Sequence, residues 1–209
     1  MLADDIVDCT VNYLIGDRST FNKESSLFQN LFVAYLTDKN SSTLREAATL
    51  KICNVFKIDK KHGADGKNPV TGNYVEVKPE YAHLNNGKQT KLCGGGTFND
   101  IHFEKVKGCK GWELVVSGFA EDKLIFVFRF PFDFLAPTLN SFIERKIESN
   151  KKKGKDQTQG RFSTKFGFSK YYNCPDLEII YFNREHGHKF MSKKYFKYFS
   201  EKYDREFLK

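Results

Sequence analysis

The sequence predicts an α/β (α+β) fold, a mixed β-sheet flanked by helices. Three observations carry that expectation. Apolar residues recur at helical spacing in the first quarter of the 209-residue chain, two β-branched and aromatic runs joined by a three-residue polar turn occupy its centre, and helical periodicity returns after that pair and near the C-terminus. Hydrophobic content of 40%, with Phe 21 and Tyr 10, supplies apolar side chains for a real core, which excludes a disordered chain and fits one domain.

Taken in order, residues 3–15 read as a helix with Ile6, Val7, Val11, Leu14 and Ile15 on one stripe, acids at its start and Gly16 at its stop. A second helix is expected from Ser25 to Thr37, where Leu27, Phe28, Leu31, Phe32, Tyr35 and Leu36 repeat at helical spacing. Thr43-Leu44-Arg45-Glu46 opens a third, which feeds a first strand around Val55–Asp59. A turn-rich loop, His62–Gly72, then leads into an alternating strand, Asn73–Lys78, whose ladder Pro79 is expected to end because it has no N–H to donate. The polar loop Tyr81–Gly96 reads as a linker. Its Gly94-Gly95-Gly96 would let backbone approach a phosphate closely, but no Gly-Lys-Ser/Thr follows, so it is not a P-loop.

Trp112–Phe119 and Lys123–Phe130 form a β-hairpin around Ala120-Glu121-Asp122, and their continuous apolar character marks central strands buried on both faces. A short amphipathic helix is expected over 138–149, then a charged tract, Asn150–Gly160, then a strand through Phe162, Phe166 and Phe168. Asp176–Phe182 reads as a further strand and Ser192–Phe207 as a terminal helix.

Charge is distributed unevenly. Residues 1–46 hold four Lys/Arg and seven Asp/Glu, whereas residues 141–170 hold nine and three, and residues 183–209 hold eight and four. The chain carries +8 overall, so a basic face built late in the sequence suits a polyanionic partner. Lys151, Lys152, Lys153 and Lys155 have the density to bind phosphates without reading sequence, while Gln157, Gln159 and Arg161 have the hydrogen-bonding edges to contact adenine and guanine. Five cysteines at 9, 53, 93, 109 and 174 make no CxxC pair, which argues against a zinc ribbon or disulfide scaffold and for a reducing, cytoplasmic home. The start Met1-Leu2-Ala3-Asp4-Asp5 lacks the basic residues of a signal peptide, and Arg129, Pro131 and Asp133 interrupt the most apolar run, so no membrane span is expected.

The tripeptide [D/E]-x-K occurs five times, at Asp59, Asp65, Glu76, Glu121 and Glu144, so it carries no information alone. Context singles out Glu76-Val77-Lys78. Only this copy lies in a β-branched alternating run, entered from a Pro/Gly-punctuated turn that follows the Gly-flanked Asp65. Strand alternation puts Tyr74, Glu76 and Lys78 on one face and Asn73, Val75 and Val77 on the other. Asp65 returns to the carboxylate and ammonium if its segment pairs with that strand. Such a cluster has the donors to hold a divalent cation.

This arrangement resembles the active site of the PD-(D/E)XK nuclease superfamily, and within it the type II restriction endonucleases, over residues 46–79 at most. Ala64-Asp65 stands where the motif has Pro-Asp. The resemblance implies a restriction-endonuclease-like fold with Asp65 and Glu76 on neighbouring strands, and Mg²⁺ held by Asp65, Glu76 and the Val77 carbonyl. It implies that Lys78 orients or helps deprotonate the attacking water. Glu46 keeps two readings: an extra metal ligand, as on the helix preceding many such sites, or the partner of Thr43 in a capping box. The implied function is Mg²⁺-dependent, sequence-specific cleavage of double-stranded DNA, with a homodimer expected across a palindromic site. Alternatives are a repair or recombination nuclease of the same fold and a non-catalytic basic nucleic-acid-binding domain. On this reading a helical part (1–45), a catalytic core (46–135) and a basic DNA-contacting part (136–209) make one domain. His186-Gly187-His188 near Asn183 and the literal Pro175-Asp176 are weaker motifs, because neither is followed by the partner residues its chemistry needs.

Overall fold

The computed structural model describes residues 4–15, 35, 42–58, 63–85, 88–154 and 162–207. The expected helix at 25–37 and the tract from Lys155 to Arg161 fall wholly or largely outside those residues. In chain order the elements begin with α1 (Asp4–Ile15), α2 (Thr43–Ile52), β1 (Phe56–Lys57), β2 (Gly66–Lys67) and β3 (Tyr74–Ala82). Next come β4 (Leu84–Asn85), β5 (Lys88–Gln89), β6 (Thr97–Ile101), α3 (Phe103–Gly108), β7 (Glu113–Ala120) and β8 (Lys123–Pro131). The chain closes with α4 (Phe132–Lys152), β9 (Phe162–Lys165), β10 (Glu178–Phe182), α5 (Arg184–Phe190) and α6 (Lys193–Phe207).

The apolar central hairpin sets the architecture. Every residue of β7 is buried, so this strand needs a layer on each face and a strand on each edge. The sheet order is β1-β2-β3-β7-β8-β10, antiparallel except for β3 and β7, which run parallel from Val75 opposite Glu113 to Ala82 opposite Ala120. On one face Val75, Val77, Val115 and Val127 pack under Tyr13, Leu14, Leu44 and Leu50 of α1 and α2. On the other, Leu114, Val116, Phe126, Phe128 and Phe130 meet Leu135, Leu139 and Ile143 of α4 and the aromatics of the C-terminal segment. Phe128 stacks on Phe199 and Phe130 on Tyr171, each pair with ring centroids 4.3 Å apart. This is the mixed sheet with helices that the apolar periodicities predicted. No helix among the described residues is long and apolar enough to cross a membrane.

Three expectations are corrected. Pro79 does not end its strand: β3 runs on to Ala82, with Pro79 in register opposite Ser117. Main-chain groups alternate between a strand's two edges, and Pro79 shares its parity with Val75 and Val77, which bond away from β7. Its missing N–H therefore falls on the edge that β2 has already left, where no ladder bond is lost. The helix expected at 138–149 extends from Phe132 to Lys152 with Pro137 inside it, because the Phe132 and Leu135 side chains are fully engaged in the core and outweigh one lost hydrogen bond in the second turn. The strand through 162–168 stops at Lys165 and pairs with β6 in a separate two-stranded ladder. The C-terminal third also supplies β10 to the main sheet, so it is part of the same core as the hairpin.

Candidate active site

Asp65 sits one residue before β2, at the open end of the β2–β3 hairpin and opposite the 68–73 turn. Gly66 is required there: a Cβ would stand 2.5 Å from the Val55 side chain and 2.8 Å from that of Leu50, so only bare backbone lets the turn pass beneath α2. The Asp65 N–H donates to the Val75 carbonyl at 2.9 Å. One step further along β3, the Val77 N–H donates to Asp65 Oδ2 at 2.7 Å. A side-chain carboxylate thus takes the ladder position that a longer β2 would have filled. By the same alternation the Val77 carbonyl points to this edge.

Glu76 and Lys78 project together from the face opposite Val75 and Val77, as the period-two reading required. The Lys78 ammonium donates to Glu76 Oε1, and both side chains are about four-fifths buried. Two neighbours fix the lysine. Its ammonium lies 5.1 Å from the Phe98 ring centroid, and Gly96 leaves room for its stem, since a Cβ there would be 2.9 Å from Lys78 Cβ. A cavity of about 450 Å³ opens beside Glu76, lined also by Phe98, Lys105, Cys109 and Trp112. Burial, reinforced by the Glu76 charge, pushes the Cys109 thiol up to about 11, so it is no nucleophile at neutral pH.

Electrostatics ties the acids together. Burial is the main cause that lifts Asp65 from 3.8 to about 7, and the charges of Glu76 and Glu46 add to it against the Val77 hydrogen bond and Lys78. Burial likewise lifts the Glu46 carboxyl above its ordinary value, opposed by Lys78 and Lys57 and reinforced by Glu76. Asp65, Glu76, Lys78 and Glu46 therefore share one electrostatic neighbourhood. The capping-box reading of Glu46 fails, because Ser42 occupies the N-cap with no side-chain cap bond and Thr43 is already helical.

The other motifs resolve into structure. Asn183 caps α5 by accepting the His186 N–H at 3.0 Å, so His-Gly-His is a helix start. The N–H groups of Cys93 and Gly94 donate to the Glu80 carboxylate at 2.8–2.9 Å, so an internal acid fills the place where the glycine run had offered a phosphate seat. Lys151, Lys152 and Lys153 are exposed at the C-terminal end of α4, while Lys155, Gln157, Gln159 and Arg161 lie outside the described residues. Sequence reasoning missed Phe98, Gly96, Lys105, Cys109 and Trp112. No local signal could have placed them, since they reach Glu76 and Lys78 only through the crossover from β3 to β7.

No protein-family model matches the chain, and no curated protein matches it.

Among the described residues no three His, Cys, Asp or Glu side chains already form a group that could hold a metal ion. The donors nevertheless suit a hard divalent cation. Two carboxylates and a strand carbonyl, all oxygen, belong to this neighbourhood, and burial, reinforced by the charges of Glu76 and Glu46, raises Asp65 to about 7. Displacing the Asp65 proton, and swinging the Glu76 carboxylate off Lys78, would complete such a site.

Proposed function

We propose that this protein is a Mg²⁺-dependent endonuclease that cleaves double-stranded DNA at specific sites, in the manner of type II restriction enzymes. The observation that carries the reading is the Asp65 carboxylate bonded to the Val77 N–H, with Glu76 and Lys78 on the same strand and Glu46 within electrostatic reach. Asp65, Glu76 and the Val77 carbonyl, with Glu46 as a further oxygen donor, would hold the ion. Bound Mg²⁺ would supply a nucleophilic water near neutral pH and offset charge developing on the phosphate.

The chain's own residues do the rest. The Lys78 ammonium donates to Glu76 Oε1. Once released, its three N–H donors can orient the attacking water and stabilise a non-bridging phosphate oxygen. Phe98 beneath the ammonium, and burial of most of the side chain, keep that donor aimed rather than free in solvent. The Val77 N–H holds Asp65 in place through a bond that any strand backbone provides, so the acid's position costs no extra side chain.

The test is digestion of phage and plasmid DNA by purified protein with Mg²⁺ or EDTA, beside Asp65→Ala and Lys78→Ala variants of native circular dichroism. Wild type should give discrete bands with Mg²⁺ and none with EDTA, and each variant should lose about 10²–10³-fold or more in rate. Cleavage that persists in both variants would remove this site. Absence of cleavage of every substrate would leave DNA binding alone to be measured.

A further inference from the structure

Beyond Lys78 the strand runs along a second, larger groove of about 720 Å³. Pro79, Glu80 and Tyr81 of β3 form its floor, and four segments distant in sequence bring basic side chains to it: Arg45 from α2, His83 after β3, Lys165 at the end of β9 and Lys170 from the turn at 168–170. Arg45 is built in rather than draped over the surface. It is 3% exposed, and its guanidinium carbon lies 5.4 Å from the centroid of the Tyr81 ring. Lys165 and Lys170 are exposed at the opposite wall.

Among the described residues Glu80 is the one acid in this lining, and its carboxylate accepts the N–H groups of Cys93 and Gly94. The described lining therefore presents Lys165 and Lys170 to solvent while the Glu80 carboxylate is occupied. The groove is also continuous with the catalytic strand. Pro79 follows Lys78 directly, and Gly96, against which the Lys78 stem packs, lines the groove as well.

We infer that this groove seats the sugar-phosphate backbone of the nucleic-acid strand whose scissile phosphate meets Lys78, with Lys165 and Lys170 as its phosphate contacts and the buried Arg45 adding positive potential. The inference rests on the nuclease reading for the identity of the strand and extends it by naming where the flanking phosphates lie. Lysines in this role bind by charge and counterion release, without reading bases. Base reading is then left to other parts of the surface.

The experiment measures binding of a fluorescein-labelled DNA duplex by anisotropy in EDTA across a salt series, so that cleavage plays no part. Lys165→Glu/Lys170→Glu should weaken binding at least tenfold, and Lys165→Gln/Lys170→Gln should reduce the slope of log affinity against log salt by roughly 2, about 0.9 per lost phosphate contact. Lys107→Glu/Lys110→Glu, two exposed lysines at the end of α3 that line neither this groove nor the cavity beside Glu76, is the control and should cost less. Unchanged affinity and slope in the groove variants, or an equal loss in the control pair, would overturn the assignment. Because both groove lysines are exposed, matched melting temperatures are expected, and the Gln pair supplies the readout if charge reversal disturbs folding. DNA cleaved normally by a groove variant that binds like wild type would overturn the groove alone. Groove-dependent binding by a protein that never cuts would support the groove and overturn the nuclease reading.

Discussion

Glu113 and Asp65 are both carboxylates drawn into the same sheet, yet their surroundings differ in kind. Glu113, at the start of β7, is 8% exposed and meets donors on every side: Asn68 Nδ2 at 2.9 Å, Thr71 Oγ1 at 2.7 Å, Asn73 Nδ2 at 3.2 Å and an Arg129 nitrogen at 3.6 Å. It pins the 68–73 turn, the loop whose hairpin delivers Asp65, to the central strand. Among the described residues Asp65 accepts one backbone N–H, from Val77, and it is buried within reach of the charges of Glu76, Glu46 and Lys78. A carboxylate with a full set of donors holds a fold together. One that is buried beside other acids is raised toward neutrality and gains most from a cation, which is why the proposed site takes Asp65 and leaves out Glu113.

That contrast can be broken by substitution. Glu113→Ala leaves the donors of Asn68, Thr71 and Asn73 without their acceptor, while Arg129 keeps Glu178, and should cost about 3 kcal/mol in urea denaturation. Its cleavage rate per folded molecule should fall much less than that of Asp65→Ala. A Glu113→Ala protein of wild-type stability would show that the network is decorative.

The next effect is smaller and has a sign that can be checked. Because the folded protein raises Asp65 from 3.8 to about 7, the native state holds a proton that the unfolded chain has already released across that window. The stabilising preference for the protonated acid is intact below about pH 4 and is lost as pH climbs through 7. In EDTA, Asp65→Asn should therefore match wild type near pH 4 and exceed it by about 1–3 kcal/mol at pH 8. Equal stability of the two proteins at both pH values would mean that the fold does not raise Asp65. Mg²⁺ should raise the melting temperature of wild type at pH 8 and leave Asp65→Asn nearly unmoved, since binding to the native state alone stabilises it.

The smallest expected change belongs to Glu46→Gln. It keeps the shape of α2 and removes one of the charges around Asp65, so it should slow cleavage by about tenfold, with higher Mg²⁺ needed for half-maximal rate. A variant as fast as wild type at every Mg²⁺ concentration would take Glu46 out of the site.

Much of this was written in local pattern. The unbroken apolar runs of 112–130 could only be central strands, and strand periodicity alone put Glu76 and Lys78 on one face with Val75 and Val77 on the other. The Gly-flanked turn placed Asp65 within reach of them. Glu46 was not legible, because Thr-x-x-Glu fits a capping box equally well until Ser42 is seen at the cap. Nor was Pro79, whose effect depends on which edge of β3 its nitrogen faces, or Gly94–Gly96, whose neighbouring N–H groups are filled by an acid from fourteen residues back along the chain. The length of α4 was hidden by Pro137, which local preference penalises and core burial overrules.

The amino-acid order by itself determined the strands, the faces they present and the residue types available for chemistry, since those follow from periodicities of two and 3.6 and from side-chain identity. Only the tertiary structure decided which acids lie together and which are neutralised by donors. Those relations are set by strands and loops that meet from distant parts of the chain, and burial there turns ordinary carboxylates into interacting ones.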